Sequence, residues 1–514
     1  INGIETEIEQ GSTILTAAEK LGIEIPSLCF LKGFHASATC MVCSVLDKTS
    51  GKIVASCSTL AMDGMDIETQ NEEIDDIRKT SVELLLSEHL GDCEAPCQRA
   101  CPAHLDIPAM NGYIALGDFE KAHETILKTI PLPAVLGFIC PAPCEKVCRR
   151  KILDSPVSVC ILKRTIGLMS EVNTWKKITP KSSETIKIAV VGAGPAGLSL
   201  SFYLQLNGFD VTIFEKSSLP GGMLQNNPEI SALPQDVLNS EIQNILSTGI
   251  SINLNTIVNT EEFQKLSLYF KCIVFTVNQV EIKNLKGIQF LEELGVWESY
   301  LYAGIPVWIR KEGVKPKMAV QSVFHGRFVA ECINQYFNKL KIIGLPQSFN
   351  SSFSNFSMEE AMQYLSKNGN KSMQNKLETG RSFSDHEAML EAKRCLHCEC
   401  LKFQTCKLKI AAEKFGAKQS RFKFKDRKKI ERIFYSDTLV FEPQKCIKCG
   451  VCVQISEKSK TKGGFTMMGR GFDSKIGIPI GFTMDEAMGD FVLQAVQSCP
   501  TGALSSPAIS SVNK

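Results

Sequence analysis

Hydrophobic and polar positions divide the chain into four patterned segments. Residues 1–75 alternate apolar and polar positions in short runs typical of strands, and residues 76–175 have the spacing of helices. Residues 186–340 begin with a buried strand, a glycine turn and a helix, and residues 358–514 start as helix and continue as a loop-rich segment. The pattern predicts a multidomain α+β and α/β protein with these four segments as its domains.

Two polar stretches separate the predicted domains. Residues 174–185 (TWKKITPKSSET) form the first, and residues 345–357 (LPQSFNSSFSNFS) form the second. A chain of 514 residues exceeds what one hydrophobic core supports, so several domains are expected on length alone. The chain starts at Ile1 rather than Met, and we expect a few residues to precede it.

Charge and hydropathy narrow the classes of partner. A net charge of +2 gives no reason to expect nucleic acid or an anionic membrane surface. The basic run from Lys407 to Arg432 is predicted to be a solvated face or a docking rim for an acidic partner rather than an RNA site. No uninterrupted apolar run approaches 18 residues and no signal-peptide pattern is found, so we predict no membrane span.

Cysteine is the residue type that points to chemistry. The chain has 21 cysteines, and most of them fall into closely spaced groups. In a chain without secretory features, such spacing favours metal ligands over disulfides. We therefore predict iron–sulfur clusters and a cytoplasmic location, where thiols stay reduced.

The first group has the spacing C-x10-C-x2-C-x13-C and follows a stretch with the pattern of a hairpin. Its members are Cys29, Cys40, Cys43 and Cys57. Four thiolates suit a [2Fe–2S] cluster, with a structural zinc site as the alternative. The spacing, with IPSLC and CMVC, resembles the N-terminal ferredoxin-like domain of the large iron–sulfur subunit of respiratory complex I and its hydrogenase and formate dehydrogenase relatives. The resemblance implies a β-grasp ferredoxin fold.

The second group consists of two cysteine triplets, in GDCEAPCQRACPAHLDIP and FICPAPCEKVC. These motifs resemble the N-terminal domain of the glutamate synthase small subunit and dihydropyrimidine dehydrogenase, a helical domain with two [4Fe–4S] clusters. By position, the resemblance implies one cluster on Cys93, Cys97 and Cys148 and another on Cys101, Cys140 and Cys144.

Both clusters then need a fourth ligand. The family's cysteine upstream of Cys93 is absent, and His89, four residues before Cys93, is the predicted replacement because H-x3-C also opens a cluster motif of complex I. The alternative is a histidine that binds no metal. The family's Glu or Gln ligand falls at Lys163, so Cys160, one helical turn earlier, is the predicted ligand, with a buried apolar cysteine as its alternative.

A dinucleotide-binding unit follows in IKIAVVGAGPAGLSLSFYLQLNGFDVTIFEK. The glycines allow a tight turn and close approach of a pyrophosphate to a helix N-terminus, and the acid ending the second strand suits a ribose hydroxyl. The unit and the following LPGGM resemble the FAD site of the same flavoproteins. The implied FAD-binding residues are Gly192, Gly194, Pro195, Ala196, Gly197, Glu215, Gly221 and Gly222.

The resemblance weakens after this unit. The family inserts an NADPH-binding unit of its own, but here a short stretch separates CIVFTVN from LYAGIPVW and carries no second glycine fingerprint. Asn278 stands where the family has Gly, and Ile305 where it has an Asp that touches the flavin. We predict a truncated Rossmann-like FAD domain, with a cofactor-free scaffold as the alternative. Cys272 and Cys332 are predicted core residues.

Two further groups lie near the end of the chain. C-x2-C-x-C-x5-C suits a [4Fe–4S] cluster, with zinc as its alternative, and its members are Cys395, Cys398, Cys400 and Cys406. His397 within it is predicted not to be a ligand. C-x2-C-x2-C with a distant C-P is the pattern of one more [4Fe–4S] cluster, and its members are Cys446, Cys449, Cys452 and Cys499. This tail, with GRGFD and CPTGAL, resembles a segment of electron-transfer subunits attached to formate dehydrogenases.

The predicted cofactors are one [2Fe–2S] cluster, four [4Fe–4S] clusters and FAD. No nucleophile–base pair or paired-carboxylate site is found. We predict an electron-transfer subunit that relays electrons between a catalytic partner, of the molybdenum or tungsten formate or aldehyde dehydrogenase type or a hydrogenase, and a flavoprotein or ferredoxin linked to NAD(P)H. The alternative is a flavin-dependent NAD(P)H oxidoreductase or electron-bifurcating enzyme in its own right.

Overall fold

A computed structural model describes most of the chain. The described residues are 1–169, 186–225, 232–277, 279–313, 317–353, 356–365, 381–422, 428–436, 439–459, 463–482, 487, 489 and 491–506. Asn278 lies outside them. Among them, no helix combines the length and the apolar character needed to cross a bilayer.

Helices in the described residues are labelled in chain order. They are α1 Ile14–Lys20, α2 Glu72–Glu88, α3 Pro96–Ala100, α4 Ile107–Ala115, α5 Phe119–Leu127, α6 Pro133–Ile139, α7 Pro143–Lys146, α8 Val159–Leu168, α9 Pro195–Leu206, α10 Gln235–Ser247, α11 Thr260–Tyr269, α12 Val280–Lys283, α13 Ala319–Phe337, α14 Met358–Gln363, α15 Asp385–Ala392, α16 Lys407–Phe415, α17 Val451–Lys458 and α18 Phe491–Ser498.

Strands are labelled in the same way. They are β1 Ser44–Asp47, β2 Lys52–Ala55, β3 Ile67–Glu68, β4 Lys187–Val191, β5 Asp210–Phe214, β6 Ser251–Asn253, β7 Cys272–Phe275, β8 Ile288–Leu294, β9 Trp297–Tyr302, β10 Ile305–Arg310, β11 Ile433–Ser436, β12 Leu439–Phe441, β13 Thr466–Met468, β14 Lys475–Gly477 and β15 Leu504–Ser505.

The chain forms two compact units. The first unit contains Ile1–Ala95, Ser348–Gly369 and Leu396–Lys514, and the second contains Pro96–Gln347 and Asn370–Cys395. The division into four domains at 1–75, 76–175, 186–340 and 358–514 stays a prediction.

Small sheets and short helices build the first unit. Strands β2, β1 and β3 form an antiparallel sheet in that order, and β11, β12 and β15 form another. Helix α2 begins where the Asn71 side chain accepts the Ile74 N–H at 2.8 Å, and acidic side chains in its first turn complement the helix dipole. Its buried face packs with α16 in the apolar core of this unit.

The hairpin predicted before α1 is wrong within the described residues. The N–H of Asn2 donates to the carbonyl of Ile67 at 2.7 Å, and Thr13 forms an isolated bridge with Leu60. The backbone groups of this stretch are therefore used by residues around 56–67, and no strand forms between residues 1 and 12.

A seven-stranded sheet organises the second unit, in the order β6-β5-β4-β7-β10-β9-β8. Strands β6, β5, β4, β7 and β10 are parallel, whereas β8 and β9 extend the edge antiparallel. Strand β4 (KIAVV) is buried at every residue but the first, so both of its faces are covered, as the continuous apolar run predicts. The sheet and its helices have the Rossmann-like arrangement expected from the glycine turn.

The helices of the second unit cross closely at glycines. A Cβ at Gly137 of α6 would overlap Arg164 of α8, and a Cβ at Gly167 would overlap the backbone of Ala134. The backbones of α6 and α8 therefore approach each other directly, with the cysteine-bearing loops at their ends. Cys272 on β7 and Cys332 on α13 are both 0% exposed in the apolar core, so the prediction that they are core residues is confirmed.

Candidate iron–sulfur and dinucleotide sites

The first cysteine group is fully inside the first unit. Cys29, Cys40, Cys43 and Cys57 are at most 4% exposed. Hydrogen bonds from Cys40 and then Cys57 hold the pKa of the Cys29 thiol at about 2, and a hydrogen bond from Cys57 lowers the pKa of Cys43 to about 6. Hydrogen bonds therefore link the four sulfurs, from Cys40 through Cys29 and Cys57 to Cys43, and the same bonds raise the pKa of Cys40 and of Cys57. Thiolate is the form that binds iron.

Buried polar groups support this loop. The guanidinium of Arg78, 3% exposed, donates to the carbonyl of Ser44 at 2.8 Å and to that of Thr69 at 3.0 Å. The Ser56 hydroxyl donates to the Cys43 carbonyl at 2.8 Å. The strand after Cys43 is thereby tied to the segment that carries Cys57.

The last cysteine group lines one apolar pocket of the first unit. Cys446, Cys449, Cys452 and Cys499 share it with side chains such as Phe441, Ile476 and Leu504. The N–H of Lys448 donates to the Cys446 sulfur at 3.3 Å, the kind of N–H···S bond that stabilises a ligand thiolate. Ser456 donates to the Cys452 carbonyl at 2.9 Å, so its hydroxyl has a structural partner.

In the second unit, Cys160 meets the cysteines predicted for it. Its sulfur exchanges hydrogen bonds with those of Cys140 and Cys144, and its N–H donates to Glu145 Oε1 at 2.8 Å. A hydrogen bond from Cys160 and burial raise the pKa of Cys140 above its usual value. The charges of Cys101 and of these three cysteines act on Lys163, so all four cysteines of this predicted cluster lie near one side chain.

Lys163, at the position where the family has a Glu or Gln ligand, is buried near these cysteines. It is 4% exposed on α8. Burial opposes its charge, but the thiolates of Cys160, Cys140 and Cys101 outweigh burial and place its pKa above the usual value. The sequence alone did not predict a charge at this place, although residues three apart share a helix face and Lys163 therefore lies on the same face as Cys160.

The structure does not keep Cys93, Cys97 and Cys148 in one unit. The first unit contains Cys93, and also Cys398, Cys400 and Cys406. The second unit contains Cys97 and Cys148, and also Cys395. Burial and then the charges of Cys400 and Cys93 raise the pKa of Cys406 to about 12.

His89, four residues before Cys93, is buried in the first unit. It is 5% exposed, and its Nδ1 lies 3.0 Å from the carbonyl oxygen of Lys445. Burial, then the Lys445 charge, lowers the pKa of the imidazole to about 4, so the ring is neutral at neutral pH. Neutral imidazole is the form that can bind a metal.

Segment 385–395 is anchored in the second unit by a buried arginine. Arg394, 1% exposed, forms ion pairs with Glu391 at 2.7 Å and Asp154 at 3.0 Å. The Arg150 guanidinium donates to the Arg394 carbonyl at 3.2 Å, which brings the segment ending at Cys395 to the one that follows Cys148.

His397 and Cys398 belong to the first unit. His397 Nδ1 lies 3.2 Å from Glu399, and Arg432 donates to the His397 carbonyl at 2.8 Å. Across the described residues, no three His, Cys, Asp or Glu side chains converge tightly enough to hold a single ion.

The glycine turn after β4 has the geometry of a dinucleotide site. Gly192 has φ +105°, and a Cβ there would overlap the Thr276 hydroxyl. A Cβ at Gly197 would overlap the Gly192 carbonyl, so α9 starts directly against the turn. Above Gly194, the N-cap of α9, a Cβ would meet nothing within 4 Å, which leaves space for a phosphate at the helix N-terminus.

Glu215 holds this turn in place. One carboxylate oxygen accepts the Ala193 N–H at 2.7 Å and the other accepts the Ser217 N–H at 2.9 Å. The loop with Gly221 and Gly222 folds back onto the turn, since the Gly221 N–H donates to the Ala193 carbonyl at 2.8 Å. Pro195 and Ala196 form the buried first turn of α9.

No second dinucleotide unit is present in the described residues between β7 and β10. The short helix α12 and the antiparallel pair β8–β9 occupy this part of the chain. Ile305 begins β10 and packs in the apolar core with Phe263 and Phe275.

Comparisons with known proteins match three parts of the chain. The 2Fe-2S iron-sulfur cluster binding domain matches residues 1–72, the dihydropyrimidine dehydrogenase domain II with its 4Fe-4S cluster matches residues 86–174, and the NAD(P)-binding Rossmann-like domain matches residues 190–260. The chain is a mosaic of iron–sulfur and Rossmann-like modules.

Relatives of this mosaic are subunits of larger oxidoreductases. Over 32% of its length, this chain is 40% identical to the NADPH-Fe(3+) oxidoreductase subunit beta of Geobacter sulfurreducens. Over a similar 32%, it is 37% identical to the NADP(+)-dependent formate dehydrogenase subunit beta of Moorella thermoacetica. It is 34% identical over 40% to the NAD-dependent dihydropyrimidine dehydrogenase subunit PreT of Escherichia coli. The alignments span 25%, 27% and 52% of those relatives' own lengths.

Proposed function

We propose that this protein is the electron-transfer subunit of a multi-subunit oxidoreductase. The observation that carries the proposal is one buried apolar cluster in the first unit. Cys29, Cys40 and Cys406 are part of this cluster, and Cys449 packs against it. Candidate ligands of three different iron–sulfur centres therefore share a single core, and this proximity suits stepwise passage of single electrons.

The proposed cofactors are one [2Fe–2S] and four [4Fe–4S] clusters. Cysteine thiolates hold both types, and hydrogen bonds to the sulfurs and nearby charge set their potentials. The Lys448 N–H on Cys446 and the buried Lys163 beside Cys160 supply such bonds and charge. A chain that uses so many cysteines as metal ligands favours a cytoplasmic location, where thiols stay reduced.

FAD is the proposed ligand of the glycine turn. Gly194 leaves room for its pyrophosphate at the N-terminus of α9, and Glu215 stands at the end of β5, where a ribose hydroxyl would bind. A bound flavin exchanges electron pairs with hydride donors and single electrons with clusters.

Partners follow from the same chemistry. A catalytic subunit of the molybdenum or tungsten formate or aldehyde dehydrogenase type, or a hydrogenase, would exchange electrons at one end. A flavoprotein subunit or a ferredoxin would exchange them at the other. The names of the relatives, an NADPH-dependent iron reductase subunit and a formate dehydrogenase subunit, support this direction.

A second candidate is a flavin-dependent NAD(P)H oxidoreductase that acts without a catalytic partner. The match of residues 190–260 to an NAD(P)-binding Rossmann-like domain favours it. The pair β8–β9, in the place of a separate nucleotide unit, weighs against it.

The test measures iron, acid-labile sulfide, zinc and flavin per chain in anaerobically purified protein, followed by titration with NADH and NADPH. About 18 irons per chain are expected from one [2Fe–2S] and four [4Fe–4S] clusters. Full iron with no NAD(P)H reduction supports the electron-transfer subunit. Full iron with rapid bleaching by NAD(P)H supports the second candidate, and zinc with little iron contradicts both.

A further inference from the structure

We propose that His89, Cys93, Cys400 and Cys406 are the four ligands of one [4Fe–4S] cluster in the first unit. This deepens the proposed function and rests on it, because it assumes that the cysteine groups bind clusters. The sequence alone predicted a different assignment. It placed Cys93 among the ligands of the helical domain, and it placed Cys400 and Cys406 in one cluster with Cys395 and Cys398.

A direct backbone contact joins the two halves of this group. The Cys400 N–H donates to the Cys93 carbonyl at 3.0 Å, so the two cysteines lie on adjoining stretches of backbone. Both are buried, 7% and 6% exposed. The Cys93 sulfur also accepts the Ser351 N–H at 3.4 Å, an N–H···S bond of the kind that ligand sulfurs accept in iron–sulfur proteins.

A second contact brings Cys400 and Cys406 to the same short segment. A Cβ at Gly502 would overlap the Cys400 sulfur, so the missing side chain leaves the space that this sulfur occupies. The Cys406 sulfur lies 3.8 Å from the Pro500 carbonyl, which also accepts the Leu408 N–H at 3.3 Å. Residues 500–502 thus contact both cysteines.

Lys445 connects His89 to that same segment. Its carbonyl lies 3.0 Å from His89 Nδ1 and accepts the Thr501 hydroxyl, also at 3.0 Å. Its side chain runs between Gly91 and Gly502, since built Cβ atoms there would lie 2.7 Å and 3.7 Å from it. His89 is therefore placed on the same structural support as the two distant cysteines.

The contact of His89 also selects the tautomer. A proton on Nδ1, donated to the Lys445 carbonyl, leaves the lone pair on Nε2. Metal-binding histidines commonly donate their other ring N–H to a carbonyl in this way, which fixes the ring orientation. Nε2 is thereby available as the fourth ligand.

In the sequence, two boundaries between the units lie close to these ligands, one after Ala95 and one after Cys395. The whole of the second unit, Pro96–Gln347 and Asn370–Cys395, lies between Cys93 and Cys400 in the sequence. The first unit completes the ligand set from its own residues. We read the second unit as a module inserted into the chain between two ligands of one cluster, with Cys97, Cys148 and Cys395 left to its own centres.

Single and double serine variants of the full-length protein test the pairing. We expect Cys93→Ser and Cys400→Ser each to abolish the same electron paramagnetic resonance signal of the reduced protein. Each variant should lose about four irons, and the double variant should lose no more than either single one. The loss of two different signals, with about eight irons lost in the double variant, would overturn the proposal.

A separate measurement, the nitrogen hyperfine coupling of a cluster signal, tests His89 as a ligand. In the unmodified protein, one reduced [4Fe–4S] signal should show nitrogen hyperfine coupling, and His89→Cys should abolish the coupling while iron content stays complete. Absence of the coupling in the unmodified protein excludes His89 as a ligand, even if no cysteine variant accumulates. Cys272→Ala, in the core of the second unit, is the control and should leave every signal unchanged. An unmodified protein without iron would refute the proposed function itself, a different result from misassigned signals.

Discussion

Replacing Lys163 by methionine isolates the effect of one buried charge on one cluster. The ammonium group lies within reach of Cys160, Cys140, Cys101 and Cys144, and the residue is 4% exposed. Methionine has similar length and no charge, so it fills the same space in the packed helix. The change therefore removes electrostatics and leaves packing nearly intact.

The magnitude follows from the interaction of unit charges. At a separation of about 6 Å and an effective dielectric constant of about 20, a unit charge changes the energy of an added electron by about 2.8 kcal/mol. At about 59 mV for each 1.4 kcal/mol in a one-electron couple, this corresponds to about 120 mV. Because a reduced cluster carries one more negative charge, loss of the cation lowers the potential, and we expect a drop of about 50–120 mV.

The assay is an anaerobic redox titration followed by electron paramagnetic resonance. One [4Fe–4S] signal should move to lower potential in Lys163→Met, while the other signals keep theirs. Lys128→Met, an exposed lysine at the end of α5, is the matched control and should shift no signal by more than about 15 mV, because solvent and salt screen its charge. An unchanged or raised potential in Lys163→Met would refute the placement of this charge beside the cluster.

Three further predictions concern the second unit. Arg394→Met should destabilise the protein by about 3–5 kcal/mol, because it leaves the buried carboxylate of Glu391 without its cation, while Asp154 keeps its ion pair with Arg150. Arg381→Met, at a more exposed ion pair with Glu387, is the control and should cost under about 1 kcal/mol. Similar thermal midpoints for the two variants would contradict this. The Gly194→Ala variant should fold normally yet lose bound flavin, because the added Cβ fills the phosphate position. Gly197→Ala should instead misfold, because its Cβ clashes with the Gly192 carbonyl. Flavin retained in the Gly194→Ala variant would count against the FAD site. Burial raises the pKa of Glu241 from 4.5 to about 8, so the unfolded chain releases this proton first and stability falls as pH rises between those values. From pH 6 to 7.5 the loss is about 2 kcal/mol, measured by thermal denaturation, and Glu241→Gln should flatten that slope relative to Glu261→Gln.

Local patterns in the sequence predicted several of the contacts that the structure shows. The spacing of Cys446, Cys449 and Cys452 constrains three sulfurs within one loop, and the structure places them around one pocket with Cys499. The glycine turn between β4 and α9 was equally local, because its requirements concern a few adjacent backbone positions. The prediction of Cys160 combined the family resemblance at Lys163 with the spacing of one helical turn, and the Cys160 sulfur lies in hydrogen-bond contact with those of Cys140 and Cys144.

Long-range contacts decided the rest. The pairing of Cys93 with Cys400 depends on a hydrogen bond between segments far apart in the chain, and no spacing rule encodes it. The hairpin predicted before α1 failed for the same reason, because residues 56–67 take its backbone partners.

By itself, the sequence indicated the chemistry, since the cysteine spacing favours iron–sulfur clusters, with zinc as the alternative at two groups, and the glycine turn favours a dinucleotide. Only the tertiary structure showed that the distant residues Cys93 and Cys400 are in contact and that buried charges lie near cysteines. Lys163 beside four cysteines and Lys445 beside His89 are ordinary lysines in the sequence. Their effect comes from burial, because a charge removed from water acts strongly on its neighbours.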